Sequence, residues 1–149
     1  MGFTDTMKRF KTEKVQGLAN HIVRETVQTF ADSLVTATQF NGPWTPYGDP
    51  ALWKAPPPAD YRPGNLRSSW FLSIGSPSSE TTERTDILRV NHLDRLPENP
   101  AGERIFLSNS APHVGAIEGG HSQQAPVGIM VNAAEFVPMV NFITRQAAA

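Results

Sequence analysis

No cysteine occurs anywhere in the 149 residues. Disulfide stapling and thiol catalysis are therefore excluded, the composition fits a reducing compartment, and stability has to come from packing or assembly. No apolar run approaches the about 20 residues that span a bilayer. The opening MGFTDTMKRFKTEK lacks the apolar core of a signal peptide, so the expectation is a soluble protein. A dense lysine–arginine block is also missing, and 13 basic against 14 acidic residues leave a formal charge of −1. The electrostatic footprint of a chain that grips nucleic acid is thus absent, and tight DNA binding by a monomer is not expected. Carboxylates are sparse where they would matter: Glu118 is the only acid between Glu103 and Glu135. Acid–base catalysis by a carboxylate pair has no support. There is no G-x-S-x-G elbow, no P-loop lysine and no G-x-G-x-x-G after a strand.

What the chain has in quantity is 13 prolines and 11 glycines, which points to much ordered loop within one domain spanning residues 1–149. Regular structure is predicted first at the N-terminus. Val15, Leu18, Ala19, Ile22, Val23, Val27, Phe30, Ala31, Leu34 and Val35 recur at spacings of three and four, the pattern of an amphipathic helix. Glu13, Asn20, Arg24 and Gln28 fall on its other face, and the helix runs from about Thr4 to Thr38 with Gly17 as a weak point. At about 1.5 Å per residue it is roughly 50 Å long, more than the about 40 Å width of a domain this size. Either it bends at Gly17 or one end projects and is covered by another subunit.

Residues 39–64 hold seven prolines and the aromatics Trp44, Tyr47, Trp53 and Tyr61. A stiff spacer accounts for the prolines but not for the rings, so the segment reads as an ordered excursion packed on the domain or a neighbour, with a plain surface loop as the alternative. Arg67 to Gly75 reads as a strand with Trp70, Leu72 and Ile74 on one face and Phe71 on the other. Ser76 to Thr85 reads as an exposed loop. Ile87, Val90, Leu93 and Leu96 fit a short helix, with a strand at Ile87 to Val90 as the alternative. Glu103 to Asn109 is the second strand and GIMV the third. A capping-box pattern at Asn132 and Glu135 starts a last helix near Ala133, with Pro138 inside it or close to its start. The predicted class is α+β: a long N-terminal amphipathic helix, a small and mostly antiparallel sheet, and a C-terminal helix.

One stretch, NSAPHVGAIEGGHSQQAPVGIM, gathers His113, Glu118 and His121 among glycines and prolines. Two imidazoles and a carboxylate suit zinc or non-haem iron with an open position, so a small metal-dependent enzyme is one reading. The spacing is not that of a helical H-E-x-x-H, and Gly115, Gly119 and Gly120 weaken any rigid frame. Ser110 and Ser122 lie near histidines only in sequence, which is poor evidence for a triad. A second reading is structural: glycines permit positive φ, Pro112 and Pro126 fix the ends, and Glu118 and Ser122 tie the loop together. A third is a monomeric adaptor that binds partners through Trp44, Trp53 and the prolines.

GNLRSSW before a strand, the run IFLSNSAPHVGAIEGGHSQQAPVGIMVNAAEF and an N-terminal amphipathic helix beginning MKRF together resemble the neck or tail-completion proteins of tailed bacteriophages, which join head to tail. The family pattern runs roughly T-G-x-L/A-R-x-S/N-W, then a strand ending N-x-x-P-Y-A, then L-E-x-G-x-S-x-Q-A-P-x-G-M-V. Gly64, Leu66, Arg67, Ser69 and Trp70 fit the first part. Asn109, Pro112, Glu118, Gly120, Ser122, Gln124, Ala125, Pro126, Gly128 and Val131 fit the rest, and the segment TPYGDPALWKAPPPADY resembles a variant carrying W-K-x-P-x-P. The chain departs from the pattern in four places. His113 stands where tyrosine is usual and Gly115 near an alanine; Ile129–Met130 replaces one methionine, and Asn132 replaces a basic residue. The resemblance implies a virion protein rather than an enzyme, with no cofactor and no metal. It implies a homo-oligomeric ring, of six subunits by analogy, assembled in the host bacterial cytoplasm. The implied partners are the adjacent connector or adaptor and the tail terminator or tail-tube proteins, with DNA passing through the lumen unbound. Candidate contacts between subunits or rings are Trp44, Tyr47, Trp53, Tyr61, Arg67, Trp70, His113, Glu118, His121, Ser122 and Gln124.

Overall fold

A computed structural model describes residues 2–38, 64–119 and 128–134. The long helix is real and unbroken: α1 spans Phe3–Ala37, passes straight through the glycine at position 17, and at its C-terminus the Thr38 hydroxyl donates to the carbonyls of Leu34 and Val35. Its two halves differ. Residues 2–17 are all exposed, whereas Ala31, Leu34 and Val35 are buried. Of the two outcomes open to an over-long helix, projection of one end is the one observed.

A short helical turn and two strands come next among the described residues. Asn65–Ser68 forms α2, Trp70–Ile74 forms β1 and Ile105–Asn109 forms β2. The strands pair antiparallel with Leu72 opposite Leu107 and Trp70 opposite Asn109. Trp70 and Leu72 point into the core, and Phe71 is buried on the reverse side against the His92 ring, 5.6 Å away. The β1 strand starts later than the sequence suggests because Arg67 and Ser68 close the α2 turn. Gly64 makes that turn possible: its φ is +82°, and a Cβ there would collide with the Thr85 carbonyl.

The segment from Ile87 to Leu96 is not the helix expected. Asn91 joins the sheet by a parallel bridge to Phe71, with Leu72 N donating to Asn91 O at 2.9 Å and Asn91 N donating to Trp70 O at 2.8 Å. Only Leu93–Arg95 is helical, as one 3₁₀ turn. Backbone groups exposed along the β1 edge outcompete a helix whose apolar residues are few, and Val90 reaches the core from an extended chain instead.

The third strand is likewise absent among the described residues. Val114–Glu118 forms α3 and Ile129–Ala134 forms α4, so Ile129 and Met130 begin a helix rather than a strand. Ile129 and Ala133, four residues apart, are buried against α1, and that packing decides the conformation of an otherwise ambiguous apolar run. The helix starts ahead of Asn132, which therefore is not its cap; Glu135 and Pro138 lie outside the described residues. The core thus joins Leu34 and its α1 neighbours, Trp70 and Leu72 of β1, Val90, and the inner face of α4.

Candidate functional site

Glu118 ends α3, and its carboxylate reaches across to the start of α4. Oε1 accepts from the backbone N–H of Ile129 and of Met130, both at 3.0 Å, and Oε2 lies 3.4 Å from the Met130 nitrogen. The first-turn N–H groups of a helix have no partner within it, and a carboxylate satisfies them with favourable charge. Gly128 stands between the two elements with φ of +86°. A Cβ there would come within 2.6 Å of Glu118 Oε2 and 2.9 Å of Glu118 O. Glycine is needed twice over, for the dihedral and for the closeness of the acid. The two ends of the glycine-rich stretch are therefore clasped, and through α4 they are fixed to α1.

A second cluster surrounds α2 and β1 and is built on three asparagines. Asn65 Nδ2 donates to the carbonyls of Thr82 and Arg84. Asn91 Nδ2 donates to Ser68 O at 2.7 Å and Trp70 O at 2.8 Å, while Asn109 Nδ2 donates to Leu66 O at 2.7 Å and its Oδ1 accepts from Ala111 N at 3.0 Å. Ser68, fully buried, accepts from Ile87 N at 3.0 Å. Side-chain amides and hydroxyls take up backbone groups that a two-stranded sheet leaves unpaired.

Arg67 reaches Thr85 O through Nη2 at 3.4 Å. Its Nε and the Trp70 Nε1 are buried without a hydrogen-bond partner. His113 precedes α3, half-buried, and its carbonyl accepts from Ile117 N at 3.2 Å. Of the sequence-predicted contact residues, the structure thus places Arg67 and Trp70 at the asparagine cluster, His113 just before α3 and Glu118 at its end. Trp44, Tyr47, Trp53, Tyr61, His121, Ser122 and Gln124 lie outside the described residues. Among the described residues no group of three His, Cys, Asp or Glu side chains is placed to hold a metal ion.

Two features escape a reading of the sequence. On α1, Asn20 and Arg24 were assigned to the solvent face, yet they hold the body. Asn20 is buried, donating to Asn99 Oδ1 at 2.8 Å and accepting from Ala101 N at 2.9 Å; Arg24 Nη2 donates to Pro97 O at 2.7 Å and Glu98 O at 2.9 Å. The turn after the 3₁₀ segment is thereby locked to the middle of the helix. Only the fold reveals that pairing, since the partners are 73 to 81 residues apart.

On the surface, Glu80 Oε2 meets His92 Nε2 at 2.9 Å and Glu80 Oε1 lies 3.7 Å from Arg95 Nη1. The hydrogen bond from His92 is the main influence holding the Glu80 carboxyl below its usual range, helped by the charges of His92 and Arg95. His92 itself sits at φ +61°, where Asn91 leaves the sheet edge and the 3₁₀ turn begins.

The exposed half of α1 presents Phe3, Met7 and Phe10 to solvent, at 82%, 41% and 53% exposure, with Lys14 Nζ 5.2 Å above the Phe10 ring. The apolar run read from the sequence starts at Val15 and does not include them. Three large apolar side chains at helical spacing thus stand uncovered on one face of the helix. No helix among the described residues is long and apolar enough to cross a membrane. No protein family, curated protein or solved structure matches this chain.

Proposed function

We propose that this chain is a structural protein of a tailed-bacteriophage neck, forming a ring that completes the tail or docks it to the head while DNA passes through. The observation that carries the reading is the projecting half of α1, whose uncovered Phe3, Met7 and Phe10 suit a protein that is finished by its neighbours. The family-like motif residues support it in a second way. Gly64, Trp70, Asn109, Glu118 and Gly128 serve turns, the core, staples and a clasp, which is what a scaffold requires. A formal charge of −1 suits a lumen that lets DNA slide rather than hold it. The assembly takes place in the host cytoplasm and the protein ends in the virion, against the connector on one side and tail terminator or tube proteins on the other.

The test is a joining assay. A phage lacking this gene should accumulate DNA-filled heads and separate complete tails, and adding the purified protein to that lysate should restore infectious particles. Normal joining in its absence would exclude the role.

A further inference from the structure

The polar run after β1 forms a strap. It leaves the sheet at Gly75, whose φ of +85° turns the chain back and whose N–H donates to Arg104 O at 2.8 Å as the last rung of the ladder. It is fastened again where Asn65 Nδ2 donates to the carbonyls of Thr82 and Arg84. Between these ends the strap passes from Ser108 to His92. Ser78 N donates to Ser108 Oγ at 3.3 Å, Ser110 Oγ donates to Ser78 O at 3.4 Å, and Glu80 Oε2 meets His92 Nε2 at 2.9 Å. Ser108 is the β2 partner of Phe71 and shares its face of the sheet, while His92 follows Asn91, which bridges to Phe71 from the other side. Residues 78–80 therefore cross over Phe71, which is 5% exposed although it points away from the core cluster.

No side chain from Ser76 to Thr81 is buried. Without an apolar anchor, such a segment has the low local stability of a part that can open while the rest stays folded. Its two serine bonds to β2 and the residue after it are long. The Glu80 joint is the shortest contact between the middle of the strap and the body, it is charge-assisted, and Arg95 Nη1 adds a second cation 3.7 Å from Glu80 Oε1. We propose that residues 76–81 are a latched cover: with the Glu80 carboxylate charged the strap lies closed over Phe71, and with the carboxyl neutral it lifts about Gly75 while β1 and β2 stay paired. The inference concerns a moving part of the body and does not rest on the neck reading.

The groups that face Glu80 are His92 at the sheet edge, Arg95 of the 3₁₀ turn and the Ser78 hydroxyl of the strap itself; the His92 ring has Glu80 on one side and the Phe71 ring on the other. Arginine stays cationic throughout the acid range. A neutral imidazole still donates through one ring nitrogen, so protonation of the carboxyl is the event that releases the joint. The hydrogen bond from His92, with the charges of His92 and Arg95, holds the Glu80 carboxyl below 4.5 in the closed strap. A carboxyl held low when closed favours closure above its ordinary value, and that preference is lost as pH falls through the lowered one.

A single introduced thiol tests this, because the chain has no cysteine of its own. Ser108→Cys in the full chain is nearly isosteric and places a half-buried reporter beneath Ser78. Its reaction with dithiodipyridine is followed relative to free cysteine at the same pH. At neutral pH, adding Glu80→Gln should speed the reaction at least about threefold. From about pH 6 to about pH 4 the relative rate should rise in the chain that keeps Glu80 and stay level in the glutamine variant. Amide exchange over residues 70–74 and 105–109 should be alike in both, which separates a lifted strap from a loosened sheet. His92→Asn puts a residue tolerant of left-handed backbone at that position. It should also speed the reaction, and Glu80→Gln should add less to it than it does alone. Should Ser108→Cys already react like free cysteine, Ser110→Cys, at the second serine bond, takes its place. A rate unmoved by Glu80→Gln, full additivity with His92→Asn, strand exchange that rises with the thiol rate, or free reaction at both serine positions would overturn the inference.

Discussion

Glu118 shows how one carboxylate can look catalytic in a sequence and be structural in the fold. It draws attention because two histidines flank it, yet its oxygens are occupied by the N–H groups of Ile129 and Met130. Replacing it with alanine should lower stability by about 1–2 kcal/mol, the range for a lost helix cap, read as a shift of the urea midpoint. Glutamine, which keeps one acceptor oxygen, should recover part of that. An unchanged midpoint in the alanine variant would mean the clasp is idle. Glu80 gives a pH signature. Its carboxyl is held below the ordinary 4.5, so its contribution is present above that value and disappears as pH falls through the lowered one. The Glu80→Gln variant should therefore lose less stability than wild type on acidification from pH 5 to pH 3, and parallel acid limbs would contradict the pairing with His92. Glu118 was marked by its isolation among glycines. Glu80 was hidden, since nothing in the run SPSSETTERT distinguishes it from any solvated acid.

At the scale of elements, legibility followed the number of apolar residues that had to agree. The 35-residue α1 was readable to within a residue or two because ten positions shared one rhythm. Both strands were found, but their neighbours were misjudged: Ile129 and Met130 carry β-compatible side chains, and only the buried face against α1 makes α4 a helix. Asn20 and Arg24 show the converse limit, for polarity marked them as outward while hydrogen bonds to a distant turn drew them in. The sequence marks Gly17 as a weak point and leaves a bend there open; α1 runs through it as one continuous helix. No atom lies within 4 Å of the Cβ it would gain as alanine. The Gly17→Ala variant should strengthen the exposed half of α1 by about 0.5–1 kcal/mol, seen as slower amide hydrogen exchange over residues 6–17. Faster exchange there would show that the glycine has a role that helix geometry does not supply. Core packing offers a larger effect: Leu34→Ala, at a fully buried site in the core cluster, should cost about 2–5 kcal/mol. A loss under about 1 kcal/mol would mean that the site collapses freely.

The described residues divide into a packed body and a helical arm that leaves it. A body held by asparagine staples, a carboxylate clasp and one modest core has its chemistry directed inward, at its own backbone. The arm has its chemistry directed outward, with aromatic and basic side chains exposed to solvent. That division is what the proposed ring subunit would use. Electron cryo-microscopy of the intact virion tests the claim most directly. The account predicts a closed ring of this chain at the head–tail joint, with the first half of each α1 lying against the next subunit. A joint fully built from other proteins, with this chain found nowhere in the particle, would contradict it.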